Sequence, residues 1–214
     1  RFLTAEQVAA VAAAADRIDP TAGLVVEVLA WCGIRWGEMV ALRRDRIDIL
    51  RRRIDIREAT VETSPGLATG PTKTYERRQV TMPEALAARL ARHLADVDPD
   101  GHVFTRRGRP LRSAAWRSGI WRPALREAGI DYLRIHDLRH TAASLAIASG
   151  ASIKAVQRQL GHASASMTLD RYGHLYEDDL DALGVALNER YRAAAAPPPR
   201  PHRAPEVIEL RTTP

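Results

Sequence analysis

The amino-acid sequence predicts an α+β fold, mainly α-helical, with a small three-stranded antiparallel sheet near the N-terminal half. Apolar residues recur at helical spacing along most of the chain. Between residues 46 and 63 they switch to alternation, through Ile47, Ile49, Ile54, Ile56 and Val61. Glycines and prolines fall between these segments and mark where one gives way to the next.

Taken in order, Thr4 is placed to cap a first helix, with Gln7 closing the capping box and Leu3 stapling to Val8. The alanine-rich run to Asp16 continues that helix. A second apolar helix is expected over 21–31, stopping at Gly33, and a short one near 36–42. Strands are expected within 46–63 and over 77–82, with turns at Ser64-Pro65-Gly66 and Gly70-Pro71. Pro83 opens a helix to about Leu94. Val103-Phe104 reads as a short extended piece, and 106–109 as a basic turn. Helices follow over 113–128, 137–149, 152–160, 166–171 and 177–192, two of them ending at Gly150 and Gly161. The expected domain covers 1–195. Residues 196–214 form a proline-rich tail whose Val207 to Leu210 patch either docks as a strand on a neighbour or has no fixed structure.

At 214 residues and 45% hydrophobic content the chain can build one sizeable core but not two. Its net charge of +6 suggests an anionic partner, nucleic acid first and an anionic membrane second, beside the plain reading of a soluble basic protein. Lysine appears only at Lys73 and Lys154; the other basic residues are arginines, whose forks match phosphate geometry. Biased genome composition gives the same excess. The one cysteine, Cys32, excludes an intrachain disulfide and reads as an inert core residue, consistent with a reducing cytoplasm. No apolar run approaches membrane-spanning length and no signal peptide is present. The chain opens on Arg1, as expected of a segment of a longer or processed protein.

Five short motifs carry chemistry. In Gly33-Ile34-Arg35-Trp36-Gly37-Glu38, Arg35 falls at a helix N-terminus, where a guanidinium, free N–H groups and the helix dipole all favour an anion. Glu38, one turn on, can orient it, or the two can form a plain surface pair. In His136-Asp137-Leu138-Arg139-His140, His136 sits at a helix N-terminal edge, which suits a neutral base, and Arg139 projects from the first turn toward a phosphate oxygen. His136 and His140 also have zinc-helix spacing, but the glutamate of that motif is missing and Arg139 puts a fixed positive charge beside the cation. His140 therefore reads as a packing or supporting residue. His162, in Leu160-Gly161-His162, lies just past a helix end, and Tyr172, in 168–174, precedes a glycine that lets its hydroxyl reach a cleft. Lys73 stands in a turn of an otherwise arginine-dominated chain, and lysine, unlike arginine, can release a proton near neutrality.

Together, in this order, the motifs at 33–38, 73, 136–140, 160–162 and 168–174 resemble the tyrosine recombinase, or phage integrase, family, over nearly the whole chain from Leu3 to about Arg192. The resemblance implies a catalytic domain that cleaves and rejoins DNA through a 3′-phosphotyrosine at Tyr172, with no metal, cofactor or ATP. It implies that Arg35 and Arg139 bind the scissile phosphate and that His162 adds a hydrogen bond. Lys73 would protonate the departing 5′ oxygen and His136 would accept the proton near Tyr172, with Glu38 in support. The chemistry agrees: two arginines and a histidine neutralise phosphoryl charge, and the phosphotyrosine keeps the bond energy for rejoining. Candidate phosphate contacts outside the site are Arg43, Arg44, Arg77, Arg106, Arg107, Arg109 and Arg112, each otherwise part of a solvated basic face.

The resemblance further implies an N-terminal DNA-clamping core-binding domain absent from this chain, and a cytoplasmic, nucleoid-associated protein forming a homo-tetramer on double-stranded DNA. It implies accessory DNA-bending or directionality proteins, and a tail passed between protomers. A phage or integrated-element integrase is the preferred role. A type IB topoisomerase-like enzyme is the nearest rival and is separated by strand exchange. The others are a non-catalytic DNA-binding domain, against which the intact residue set argues, and a histidine–metal hydrolase built on His136, His140 and His162, which chelator would silence.

Overall fold

The computed structural model describes residues 1–64, 66–71, 77–176 and 179–195. Lys73 and the tail at 196–214, with its Val207 to Leu210 patch, lie outside the described residues. The chain divides into two compact units, Arg1–Tyr176 and Glu177–Pro214.

In the first unit, α1 (Ala5–Ile18) starts at the expected capping box: the Thr4 hydroxyl accepts from the Gln7 N–H at 3.2 Å, and the Gln7 side chain accepts from the Thr4 N–H at 3.0 Å. Leu3 is buried beside it, and its N–H donates to Thr141 Oγ1 at 3.1 Å. Helix α2 (Ala22–Cys32) is apolar on nearly every side, Glu27 excepted, and a helix of that kind must be enclosed. It packs against α1, α4 (Glu84–Leu94) and α7 (Asp137–Ala148), the centre of the main core. Cys32 is fully buried and its thiol is pushed up to about 12, so it is inert, as its apolar setting suggested.

Strands β1 (Ile47–Asp48), β2 (Arg53–Ile56) and β5 (Arg78–Thr81) form the three-stranded antiparallel sheet the alternation predicted, with Ile54 opposite both Ile47 and Val80. A separate hairpin joins β3 (Glu58–Thr63) to β4 (Gly66–Pro71). The expectation of a turn at Gly70-Pro71 is corrected here. Both residues are in β4, where Pro71 pairs with Glu58 at the strand's last position. A proline is tolerated at such an edge because little of the ladder depends on its missing N–H. The basic turn at 106–109 is the tip of a hairpin between β6 (Thr105–Arg106) and β7 (Arg109–Pro110), with Arg107 and Gly108 at φ 52° and 72°.

The helix expected over 113–128 is present but interrupted. Helix α5 (Ser113–Trp116) passes through a π-helical turn, Arg117–Trp121, into α6 (Arg122–Glu127). Pro123 brings no N–H to the ladder one turn back, so the hydrogen bonding shifts there. The wider turn also lets Trp116 and Trp121, five residues apart, stack at 5.7 Å between ring centroids. Helix α7 is followed by α8 (Ile153–Leu160) and α9 (Ala165–Tyr172), then a 3₁₀ turn, Gly173–Tyr176. Ser152 and Ser164 cap α8 and α9 through hydrogen bonds to Ala155 and Met167. A small second cluster, Ala143, Val156, Leu160 and Tyr172, sits where α7, α8 and α9 meet. In the second unit, α10 (Asp179–Ala195) is the described element. Among the described residues no helix is long and apolar enough to cross a membrane.

Candidate active site

The site is assembled from helix ends. Gly33 closes α2 in the left-handed region at φ 66°, where a side chain would also strike Leu160 and Ala142. That turn delivers Arg35 to the N-cap of α3 (Trp36–Val40). The Arg35 N–H donates to Glu38 Oε2 at 2.7 Å, and its guanidinium to Glu38 Oε1 at 2.9 Å. Glu38 is 2% exposed. Its remaining partner is Arg78, which grips both carboxylate oxygens at 2.8 and 2.7 Å. Burial alone would raise the Glu38 carboxyl, but the Arg78 fork, helped by Arg35, outweighs it and holds the group below the usual carboxylate range.

Arg78 was not among the sequence candidates, which named its neighbour Arg77. A signal was present. Arg78, Val80 and Met82 alternate on one face, and Val80 and Met82 are buried, so Arg78 had to point inward and needed a carboxylate. Its aliphatic stem fills the space that a side chain at Gly161 would take: a Cβ there would lie 2.6 Å from Arg78 Cδ. Gly161, at φ 65°, ends α8 and presents His162.

Arg139, in the first turn of α7, is 5% exposed. It donates to the Gly33 carbonyl at 2.7 Å and to the Leu160 carbonyl, tying together the ends of α2 and α8. Burial, with Arg35 and Arg78 close by, pushes its guanidinium down to about 9, which still leaves it charged at neutral pH. Three guanidiniums therefore share one carboxylate, Glu38, and the site carries an excess of positive charge that suits an anion.

The histidines lie around Tyr172, the last residue of α9, 4% exposed. The Tyr172 hydroxyl is 2.7 Å from His140 Nδ1. The ring of His136, the α7 N-cap, stands perpendicular to that of His140, with centroids 5.8 Å apart. His162 is 8% exposed, bonds Thr168 Oγ1 through Nδ1 at 2.9 Å, and lies parallel to the Tyr172 ring at 6.4 Å. All three imidazoles are pushed down, chiefly by burial and then by neighbouring cations, His162 to about 4, so they are neutral at pH 7. Burial pushes the Tyr172 phenol up. Tyr172 is enclosed rather than reaching into an open cleft, and its hydroxyl partner is His140, for which the sequence predicts a packing or supporting role.

Arg35, Glu38, His136, Arg139, His162 and Tyr172 thus gather around the start of α7. Of the outlying arginines, Arg43 and Arg44 donate to the Asp100 and Val97 carbonyls and Arg106 pairs with Asp19, while Arg77, Arg107, Arg109 and Arg112 are exposed and make no such contact with a described residue. Beside His136 the π turn helps to wall a cavity of about 310 Å³ lined by Arg117, Arg122 and Arg134. Among the described residues no three His, Cys, Asp or Glu side chains are placed to share a metal ion.

Comparison with known proteins gives a consistent picture. The model of the phage integrase family matches residues 1–178. The integrase of Mycobacterium phage D29 is 32% identical over 170 residues, covering 72% of this chain and 45% of that protein. The putative prophage phiRv2 integrase of Mycobacterium tuberculosis strain H37Rv is 34% identical over 163 residues, covering 73% and 43%. The chain spans about half the length of the curated relatives it matches. In fold it is similar to the catalytic domain of bacteriophage HP1 integrase, with a TM-score of 0.63 at 24% identity, covering 87% of this chain and 94% of that one.

Proposed function

The chain belongs to the phage integrase family, and on that premise we propose that it is the strand-cleaving and strand-joining domain of a site-specific DNA recombinase. Tyr172 attacks a backbone phosphate and forms a 3′-phosphotyrosine, releasing a 5′ hydroxyl that later reverses the step on another strand. The observation that carries this reading is α7 itself. Its start holds the buried, charged Arg139 and, directly after it, His140, bonded to the Tyr172 hydroxyl.

Arg35 and Arg139 bind the nonbridging oxygens of the scissile phosphate, with Arg78 and Glu38 setting the orientation of Arg35. His162 donates a further hydrogen bond, and His136 completes the phosphate's surroundings. Lys73 is the general acid for the 5′ oxygen. The arginine excess neutralises the charge that builds on the phosphoryl group, which is the largest demand of such a reaction. The substrate is double-stranded DNA, and the assembly on it is a tetramer of full-length protein with a DNA-clamping domain ahead of this one. Relatives named as phage and prophage integrases support a role in integrating or excising a phage or mobile element. Accessory DNA-bending or directionality proteins and a cytoplasmic location belong to the same proposal.

Strand exchange between two differently labelled duplexes tests the proposal. Exchanged products without ATP support it. Relaxation of supercoiled DNA with no exchange would favour a type IB topoisomerase activity instead.

A further inference from the structure

The resemblance to the family gives the proton near Tyr172 to His136. The geometry points to His140, and we infer that His140 is the group that takes the proton from the Tyr172 hydroxyl as it attacks. This inference rests on the recombinase reading above, in which Tyr172 is the nucleophile.

A general base must lie within about 2.6–3.2 Å of the oxygen it deprotonates and must be neutral beforehand. His140 Nδ1 is 2.7 Å from the Tyr172 oxygen. The direction of that bond follows from the two groups. A phenol pushed up by burial keeps its proton, and an imidazole pushed down lacks a second one, so the hydroxyl donates and Nδ1 accepts. The tautomer is then fixed with the proton on Nε2. The His136 and His140 rings stand perpendicular with centroids 5.8 Å apart, and His136 lines the cavity beside Arg117 and Arg122.

The balance of the step is simple. As the Tyr172 oxygen bonds to phosphorus, its proton passes to His140 Nδ1. The bond from phosphorus to the 5′ oxygen breaks, and that oxygen takes a proton from the general acid, assigned above to Lys73. The charge on the imidazolium is received on α7 by Asp137, one turn away. It is opposed by His136 on the same helix, by Arg171 on α9 and by the amino group of Arg1. Parallel stacking of His162 on the Tyr172 ring, and burial of that ring, hold the phenol in line with Nδ1. In the rejoining step the proton returns along the same bond.

The test uses the full chain and a nicked duplex recovered from a randomised pool by its ability to trap a covalent adduct with that chain. His140→Ala and His140→Asn are each expected to slow adduct formation by roughly 10²-fold or more, since an amide can accept the hydrogen bond but not the proton. With difluorotyrosine at position 172, whose phenol is more acidic, the deficit of both variants should shrink to less than about tenfold, as Brønsted behaviour requires. His136→Ala should be slowed equally with either phenol. A His140 deficit that difluorotyrosine leaves unchanged, a His140→Asn variant as fast as the parent, or rescue of His136→Ala in its place would each overturn the assignment. Nitrogen-15 NMR of the intact parent gives a reading independent of variant folding: His140 Nδ1 should lack a proton and shift on Tyr172→Phe, and no shift would also overturn it. A parent chain that traps no adduct from the pool would instead remove the recombinase reading, and the inference with it.

Discussion

Arg78 and Glu38 are joined by two parallel hydrogen bonds, Nη1 to Oε1 at 2.8 Å and Nη2 to Oε2 at 2.7 Å, with both side chains withdrawn from solvent. Glu38 is also the carboxylate that holds Arg35 and moderates Arg139. Glu38→Ala would leave buried guanidiniums facing one another. Removing one partner of a buried pair typically costs about 3–5 kcal/mol, and urea unfolding should show a loss in that range. A loss below about 1 kcal/mol would mean that water already shares the pair.

Acid should loosen the histidine cluster. His162 is held at about 4 in the folded protein against an ordinary value of 6.5, so between those values the unfolded chain binds more protons than the folded one. Its contribution is present above pH 6.5 and is lost as pH falls toward 4. His136 and His140 are displaced in the same direction. The thermal midpoint should therefore fall between pH 7 and pH 5, and His162→Gln should flatten that fall. A midpoint independent of pH across this window would contradict the burial argument.

DNA affinity should depend on salt through the uncommitted arginines. Duplex binding loses roughly 0.9 of log–log slope for each phosphate contact removed. Replacing Arg107, Arg109 and Arg112 together by alanine should flatten the slope by about 2–3. The matching triple variant of Arg43, Arg44 and Arg106 should change it less, because those guanidiniums already bond Asp100, Val97 and Asp19. The reverse order would contradict this division of the arginines.

The folding punctuation was legible in the sequence because it is local chemistry. Thr4 and Gln7 formed their capping box, Gly33 and Gly161 ended their helices at positive φ, and the alternating isoleucines gave the three-stranded sheet. What escaped depends on neighbours distant in the chain. Arg78 meets Glu38 across 40 residues and His140 meets Tyr172 across 32, and neither distance leaves a trace in spacing. The π turn at Arg117–Trp121 was hidden because the sequence keeps a helical pattern through it; only Pro123 marked the break. Arg35, Arg139, His162 and Tyr172 were legible as a set through the family's motifs, since each alone reads as an ordinary surface or core residue.

The role proposed for Lys73, which lies outside the described residues, is tested by its leaving group. An alkoxide leaves poorly without a proton, and general acid help is worth roughly 10²–10⁴-fold. Lys73→Ala should cleave ordinary DNA slowly by about that factor, yet cleave DNA with sulfur at the bridging 5′ position almost as fast as the parent. Arg139→Ala should stay slow on both, because its phosphate contact is needed with either atom. Equal slowing of Lys73→Ala on both substrates would leave lysine with a binding role only.

As the nucleophile, Tyr172 becomes covalently joined to DNA through its hydroxyl. The most direct measurement of that bond is the yield of trapped protein–DNA adduct on a nicked suicide duplex, for the parent and for Tyr172→Phe, with duplex affinity measured alongside. The parent should accumulate adduct whose phosphopeptide contains Tyr172. Tyr172→Phe should form none while binding DNA nearly as well, because the change removes one oxygen and the ring's packing with His162 remains. An adduct of normal yield in Tyr172→Phe would mean that another residue is the nucleophile.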